Sequence, residues 1–280
     1  MAVATDAPVL AGVGSRWSLP LVRLAAQEAA AHDRPLCLLH AFDWAAALAA
    51  PSVVGPHDAA EELLTRAEEV ARDVDETLTI NGEIAEGPVV EALIRRSGSA
   101  YLVVVGDGGM STAPGWVSAE TPTVQVAARA GCPVLVTRRG PPPEGPVLVG
   151  VDGSADSRQA LAWAFGCAAR RGARLVAVRV VEPDRADADP AVLAGIVARI
   201  GGRHPDVPVE CHTVRGDPGT VLVEQSRSSQ VSVVATRGDQ PGRGMLGSVS
   251  QSVLYHSPAP VIVVRGLAAT EAPDVRDQGP

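Results

Sequence analysis

The chain has 280 residues, of which 46% are hydrophobic and 20% are charged, and its formal net charge at pH 7 is -8. This length suggests about two domains that each bury their own core, and the longest apolar runs have only the length of a strand, so no membrane span is expected. The acidic charge argues against a nucleic acid as the main partner, because a polyanion requires a dense basic surface.

Strand-like and helix-like segments alternate along the first half. Short apolar runs rich in valine predict buried strands, and longer segments with apolar residues at helical spacing predict helices that cover them. The predicted strands are Val9–Val13, Leu36–Phe42, Thr77–Ala85, Leu102–Gly106 and Pro133–Thr137. The predicted helices are Ser18–Ala31, Asp58–Val74, Pro88–Arg96 and Pro122–Ala130.

The same order of elements recurs in the second half. Val147–Val151 repeats Val9–Val13 with an offset of 138 residues, and Pro260–Val263 repeats Pro133–Val136 with an offset of 127. Offsets drift in this way when two copies of one domain diverge by changes in loop length. We therefore predict a first domain over residues 1–139, a Pro- and Gly-rich linker over 140–146, a second domain over 147–266 and a disordered tail over 267–280.

The alternation of elements defines a fold class. Each domain is expected to be an α/β fold, a doubly wound parallel sheet of five strands with helices on both faces. In such sheets a ligand binds at the carboxyl ends of the strands, near the point where the strand order reverses.

A glycine-rich loop and a helix lie at this position after the fourth strand of the second half. The stretch Val231–Val264 runs from an apolar strand through the loop into a helix that opens with Gly247, Ser248, Val249 and Ser250. Glycines let backbone N–H groups approach an anion, the hydroxyls add donors, and the helix N-terminus adds a partial positive charge. The pattern predicts a phosphate cradle.

Several segments of the second half carry a resemblance to a known family. They are VLVGVDGS at the first strand, LVAVRVV at the second, and VSVVATRG with GSVSQSVLYHSPAPVIVV at the end. With them, Val147–Arg265 resembles the universal stress protein family, and the first half resembles it more weakly. The resemblance implies a nucleotide alpha-hydrolase-like fold. It also implies a fifth strand that pairs two domains, so Pro133–Thr137 and Pro260–Val264 are expected to join the repeats to each other or to form a homodimer.

The nucleotide signature of that family is a glycine, two residues, a second glycine, nine residues, and then Gly with Ser or Thr. Here Ala235 takes the place of the first glycine, Gly238 is the second, and the spacer Asp239–Leu246 is one residue shorter. The alanine is tolerated unless its φ must be positive. The shortened loop changes how phosphates would be covered.

The resemblance implies a role for each matched position. Asp152 would hold the adenosine part of a nucleotide, and Val180 would contact adenine. Ala235 and Gly238 would flank the ribose and the phosphates, and Gly247–Ser250 would bind phosphate through backbone N–H groups and hydroxyls. The implied cofactor is ATP, with or without Mg²⁺, and no catalytic residue is implied.

The first half departs from this pattern. Gly14 stands in the place of Asp152, and the residues that replace Gly247–Ser250 are Glu120, Thr121, Pro122 and Thr123. Glu120 would place a carboxylate at the phosphate site, and Pro122 removes a backbone donor. We therefore predict that the first domain does not bind ATP.

Other motifs are weaker. Gly242–Gly247 spells G-x-G-x-x-G, but it follows the fourth strand rather than the first, which disfavours a dinucleotide fold. Asp152–Ser157 is partly similar to the pyrophosphate loop of adenylating enzymes, and it is more simply a helix cap. The six histidines and four cysteines form neither a catalytic group nor a pattern of metal ligands or disulfides.

Three hypotheses therefore stay open. The first is a cytoplasmic, ATP-binding tandem universal stress protein with a regulatory or stress-response role, in which the second domain holds the nucleotide. The cytoplasm is the default because MAVATDAPVLAGV lacks the features of a signal peptide. The second is a nucleotide-free interaction scaffold. The third is an enzyme that slowly hydrolyses ATP or adenylates a substrate.

Overall fold

The computed structural model describes residues 6–42, 56–108, 110, 121–182, 189–236 and 245–265. Its strands are β1 Val9–Gly12, β2 Leu36–Phe42, β3 Ile80–Glu86, β4 Leu102–Val105, β5 Val134–Val136, β6 Val147–Gly150, β7 Leu175–Val181, β8 Val209–Arg215, β9 Val231–Ala235 and β10 Val261–Val264. Its helices are α1 Leu19–Ala31, α2 Pro56–Arg72, α3 Val89–Ser97, α4 Pro122–Arg129, α5 Ala155–Arg171, α6 Pro190–Gly201, α7 Pro218–Ser226 and α8 Ser248–His256. A short 3-10 helix, Arg16–Ser18, precedes α1.

The third strand begins later than its sequence predicts. β3 starts at Ile80 instead of Thr77 because the preceding residues form a turn. In that turn one carboxylate oxygen of Asp75 accepts hydrogen bonds from the backbone N–H of Thr77 at 2.9 Å and from its hydroxyl at 2.7 Å. An aspartate that binds the backbone two residues on favours a turn over a strand.

All ten strands form one sheet. Their order is β3-β2-β1-β4-β5-β10-β9-β6-β7-β8, so each half contributes its five strands in the same relative order. Within the described residues, neighbouring strands are parallel except for the antiparallel pair of β5 and β10. The predicted α/β class is confirmed.

Helices cover both faces of the sheet, and each face has one continuous core that spans both halves. On one face α1, α2, α5 and α6 contribute fully buried side chains such as Val22, Ala67, Leu161 and Leu193. On the other face α3, α4, α7 and α8 contribute side chains such as Val126 and Leu254. Parallel strands require this double cover because both of their faces are apolar.

The fifth strands join the two halves within the chain. In the antiparallel pair Leu135 lies opposite Ile262, and Val136 lies opposite Val261. β5 also pairs with β4, and β10 also pairs with β9, so both edges of each fifth strand are occupied. Of the two predicted arrangements, the structure contains the pairing of the repeats with each other. A homodimer through the fifth strands would require this pair to open.

Two arginines reinforce the junction in a reciprocal manner. Arg138, which follows β5, donates to the carbonyl oxygens of Leu254 and Ser257 at the C-terminus of α8, both at 2.8 Å. Arg265, which follows β10, donates to the carbonyl oxygens of Arg129 and Ala130 at the C-terminus of α4, at 3.2 and 3.3 Å. Each half therefore caps the C-terminus of the helix that precedes the fifth strand of the other half. Cations are favoured at a helix C-terminus.

A buried ion pair adds a further contact between the halves, and this contact is not repeated by symmetry. Glu28 on α1 pairs with Arg171 at the end of α5, and the carboxylate is 8% exposed. Burial alone would raise the pKa of Glu28, but the hydrogen bond with His32 and the attraction of Arg171 outweigh it and hold the pKa below its ordinary value. The pair ties the first half to the second on one face of the sheet.

The linker contains neither strand nor helix between β5 and β6. Gly145 in it packs so closely that a Cβ there would overlap the carbonyl oxygen of Ser228. The predicted tail lies outside the described residues. Among the residues that the structure describes, no helix is both long and apolar enough to cross a membrane.

Candidate functional site

The predicted site residues of the second half meet at the carboxyl edge of three neighbouring strands. β6 lies between β7 and β9, with Gly150 opposite Val178 and Val149 opposite Val233. Asp152 follows β6, Val180 lies near the end of β7, and Ala235 ends β9. β6 and β9 are the pair at which the strand order reverses, which is where an open α/β sheet binds its ligand.

The loop after β6 is built by its own polar side chains. One carboxylate oxygen of Asp152 accepts the backbone N–H of Ser154 at 2.9 Å, and Gly153 has a φ of +92° that suits glycine. The hydroxyl of Ser154 then accepts the N–H of Ser157 at 3.1 Å and caps α5. The helix-cap interpretation of this loop is therefore confirmed. Asp152 itself stays exposed at the edge of the sheet.

The N-terminus of α8 points open donors at the same edge. Gly247 is its N-cap with a φ of -67°, and its N–H donates to the carbonyl of Thr236 at 2.8 Å. Within the described chain, the backbone N–H groups of Ser248, Val249 and Ser250 have no hydrogen-bond partner. Three such groups and the positive end of the helix dipole form a site suited to an anion.

The two serines differ in their surroundings. Ser248 is exposed, and its hydroxyl can turn toward a ligand. Ser250 is buried, and its hydroxyl donates to the carbonyl oxygen of Ala235 at 2.6 Å. The proton of the Ser250 hydroxyl therefore binds α8 to the end of β9 rather than a phosphate, while the backbone N–H of Ser250 remains open.

The remaining predicted positions are only partly described. Ala235 is buried. Its φ is not positive, because among the described residues other than glycine only Asp33 has a positive φ. The substitution of glycine by alanine therefore causes no backbone strain. Val180 is half-buried at the end of β7. Gly238 and most of the shortened loop lie outside the described residues, and so does Glu120 in the first half.

The first half has a large cavity at the equivalent edge. Its volume is about 940 Å³, and it lies where β1, β2 and β4 end and α4 begins. The tether between helix and strand is the same as in the second half, because the hydroxyl of Thr123 donates to the carbonyl of Gly106 at 2.7 Å. Pro122 begins α4 and has no N–H to offer. Gly14 lines the cavity in the place of Asp152.

Sequence reasoning did not single out Arg138 as a site residue. Its side chain lines this cavity while it caps α8, and burial lowers its pKa to about 10, against which the attraction of Asp107 acts. Arg138 therefore stays charged at neutral pH. Its counterpart Arg265 lies 127 residues later, the same offset that relates the fifth strands, and this agreement is the signal that could have revealed the pair.

One exposed group of side chains has the composition of a weak cation site. His57, Asp58 and Glu61 place potential ligand atoms within 4.8 Å of one another. All three are exposed, and exposed acidic groups are common without an ion. The expectation of a protein without a metal site stays a prediction.

Comparisons with known proteins agree with the architecture. A structure of a universal stress protein from Archaeoglobus fulgidus DSM 4304 covers 92% of this chain and 96% of its own, with a TM-score of 0.65 and 18% identity. This likeness shows the fold. A universal stress protein from Arabidopsis thaliana with AMP bound covers 47% of this chain and 98% of its own, with a TM-score of 0.35 and 20% identity.

Fold and site together define a tandem α/β protein with one candidate ligand site at the sheet edge of each half. The sequence model of the universal stress protein family matches residues 7–138 and again residues 145–265. A universal stress protein from Mycolicibacterium smegmatis is 35% identical to this chain, and the match covers 94% of this chain and 98% of that protein. The chain belongs to the universal stress protein family, and the resemblance of its sequence is thereby confirmed.

Proposed function

We propose that this protein binds ATP in its second half and acts as a regulatory protein of the stress response. Asp152 and Val180 would hold the adenosine part at the ends of β6 and β7. The phosphates would lie against the N-terminus of α8. Membership of the universal stress protein family supports the regulatory role, and the geometry of the second half supports the choice of site.

A single observation carries the proposal. The open N–H groups of Ser248, Val249 and Ser250 lie at the edge where the strand order reverses, beside the exposed carboxylate of Asp152. Anion donors next to an acceptor for hydroxyl or amino groups match a phosphate next to a nucleoside. Neither feature alone has this specificity, because helix N-termini and exposed carboxylates are common.

The test is a calorimetric titration of ATP into the wild type and the Gly247→Glu variant, each with and without Mg²⁺. The variant copies Glu120 of the first half. Gly247 has a φ of -67°, which any residue can adopt, so the substitution does not strain the backbone. A carboxylate close to the phosphates should weaken binding by about ten-fold or more, since unit charges about 4 Å apart repel by 1 to 4 kcal/mol near a surface.

The matched control is Gly247→Gln, which has nearly the same size without the charge. It should keep most of the affinity that Gly247→Glu loses. Equal losses in both variants would show that bulk rather than charge matters at this position. Absence of ATP binding by the wild type would overturn the proposal and favour the nucleotide-free scaffold.

The number of sites is part of the proposal. We expect one ATP per chain, because Gly14 replaces the acidic residue in the first half and Pro122 lacks a backbone donor. Two equivalent ATP sites in the titration would contradict this expectation.

We further propose that the protein is not a fast enzyme and that it works in the cytoplasm. Binding by backbone donors holds an anion without a group that activates water. Phosphate release from ATP should therefore be slow and should not differ between the wild type and a Ser248→Ala, Ser250→Ala variant once both are saturated. Faster release by the wild type under saturation would revive the enzyme hypothesis.

A further inference from the structure

The cavity of the first half is large enough for a small molecule. Its volume of about 940 Å³ is near the upper end of the range for ligand pockets, roughly 300 to 1,000 Å³. Most of its wall is aliphatic, with side chains such as Leu21, Leu39, Leu93 and Val126. A pocket of this size and polarity buries an apolar body.

The features that favour a nucleotide in the second half are missing from this wall. Gly14 offers no carboxylate for a nucleoside, and Pro122 offers no N–H for a phosphate. The cavity has therefore kept its position at the edge of the sheet with a different set of ligand-facing groups.

Among the described residues that line the wall, the arginines outnumber the carboxylates by one. Asp107 is buried and attracts the buried guanidinium of Arg138. Arg139 also lines the cavity and is exposed, and no ion pair to it occurs in the part of the chain that the structure describes. His40 lines the wall as well, with its Nδ1 bound to the carbonyl of Val13 at 2.7 Å.

An aromatic side chain stands at the same cavity. Trp17 contributes to the lining and is 79% exposed, which is unusual for a residue of this size. At the offset of 138 its counterpart in the second half is Ala155, so the indole is specific to the first half. A flat apolar ring beside an apolar cavity can stack on a planar ligand.

We propose that this cavity binds a planar aromatic molecule that carries a single anionic group, such as a carboxylate. The aliphatic wall takes the ring system, Trp17 covers it, and Arg139 pairs with the anionic group at the mouth. The inference is independent of ATP binding in the second half, because it concerns another cavity and another class of ligand.

The experiment compares two probes that differ in one charged group. Anilinonaphthalene sulfonate is anionic, and N-phenyl-naphthylamine is nearly the same molecule without the sulfonate. Fluorescence titration of the folded full-length chain should give saturable binding of the anionic probe at one molecule per chain, several-fold tighter than the neutral probe. ATP should not displace it.

Two variants localise the charge and the cavity. Arg139→Gln changes an exposed side chain and should weaken the anionic probe by about three- to five-fold without effect on the neutral probe. Ala41→Phe fills the wall at the end of β2 and should weaken both probes by about ten-fold or more. Val180→Phe is the matched control, since it makes the equivalent change in the second half, and it should leave both probes bound as before.

Each contrary outcome would overturn the proposal. Equal affinity for the two probes would show that the anionic group of the ligand is not recognised. Unaltered binding in Ala41→Phe would show that the probes do not bind in this cavity. Displacement by ATP would show a nucleotide site instead. The ATP titration tests the second half, and the two probes test the first half. Failure of the ATP titration and failure of this proposal are therefore distinguishable.

Discussion

The two halves build the same site framework and line it with different groups. In both, a hydroxyl in the first turn of the site helix binds the carbonyl at the end of the fourth strand, through Thr123 in the first half and Ser250 in the second. In both, an arginine after the fifth strand caps the site helix of the other half. These contacts hold the elements in place, and a ligand need not touch them.

The groups that face a ligand differ. Gly14 stands in place of Asp152, Trp17 in place of Ala155, and Pro122 in place of Val249. A scaffold held by backbone carbonyls and buried hydroxyls tolerates such changes, because they alter neither the sheet nor its cores. Likeness of fold between the halves therefore locates a candidate site in each one, and the groups that line the site differ between them.

The largest effect is expected for the buried ion pair between Glu28 and Arg171, which has no equivalent at the matching positions of the repeat. Glu28→Gln leaves Arg171 without its charged partner and should lower the free energy of unfolding by about 3 kcal/mol near neutral pH, measured by urea denaturation. The pKa of Glu28 is held below 4.5, so this stabilisation is present above that pH and is lost as the pH falls. The difference between wild type and variant should therefore shrink below about pH 4.

An exposed pair provides the control for this variant. Glu62→Gln removes a carboxylate that lies 2.7 Å from Arg66 on the surface of α2. Its effect should stay below about 1 kcal/mol at any pH. A similar loss in both variants would show that Glu28 contributes no more than a surface charge.

Substitution of the two capping arginines should lower the free energy of unfolding by unequal amounts. Arg138→Ala removes two bonds of 2.8 Å from a largely buried site and should cost about 2 kcal/mol of unfolding free energy. Arg265→Ala removes two longer bonds from an exposed side chain and should cost less than about 1 kcal/mol. Equal losses in urea denaturation would mean that the two caps are equivalent despite their different geometry.

The smallest effect is expected for the hydroxyl tethers. Ser250→Ala and Thr123→Val should each lower the free energy of unfolding by about 1 kcal/mol, because each removes one buried hydrogen bond. ATP affinity should change little in Ser250→Ala and fall more in Ser248→Ala, whose exposed hydroxyl can reach a phosphate. A larger loss of ATP affinity in Ser250→Ala than in Ser248→Ala would return the phosphate role to Ser250.

Periodicity and repetition were sufficient for most of the fold. Buried strands such as Leu102–Val105 are continuous apolar runs, and the constant order of elements revealed the repeat. The start of β3 was misplaced, because a local hydrogen bond from Asp75 competes with strand formation and apolar periodicity does not register it. The hydrogen bond from the Ser250 hydroxyl to the carbonyl of Ala235 was not predicted, because a hydroxyl at a helix start can bind either a ligand or the strand behind it.

The sequence by itself determined the α/β class, the tandem repeat and the family, since these depend on local patterns and on motif order. Tertiary structure decided how the halves join, because the pairing of β5 with β10 brings together strands that are 127 residues apart. It also decided which charges meet, as in Glu28 with Arg171 and Arg138 with the end of α8. Such contacts depend on distances across the sheet, which the periodicity of apolar residues does not encode.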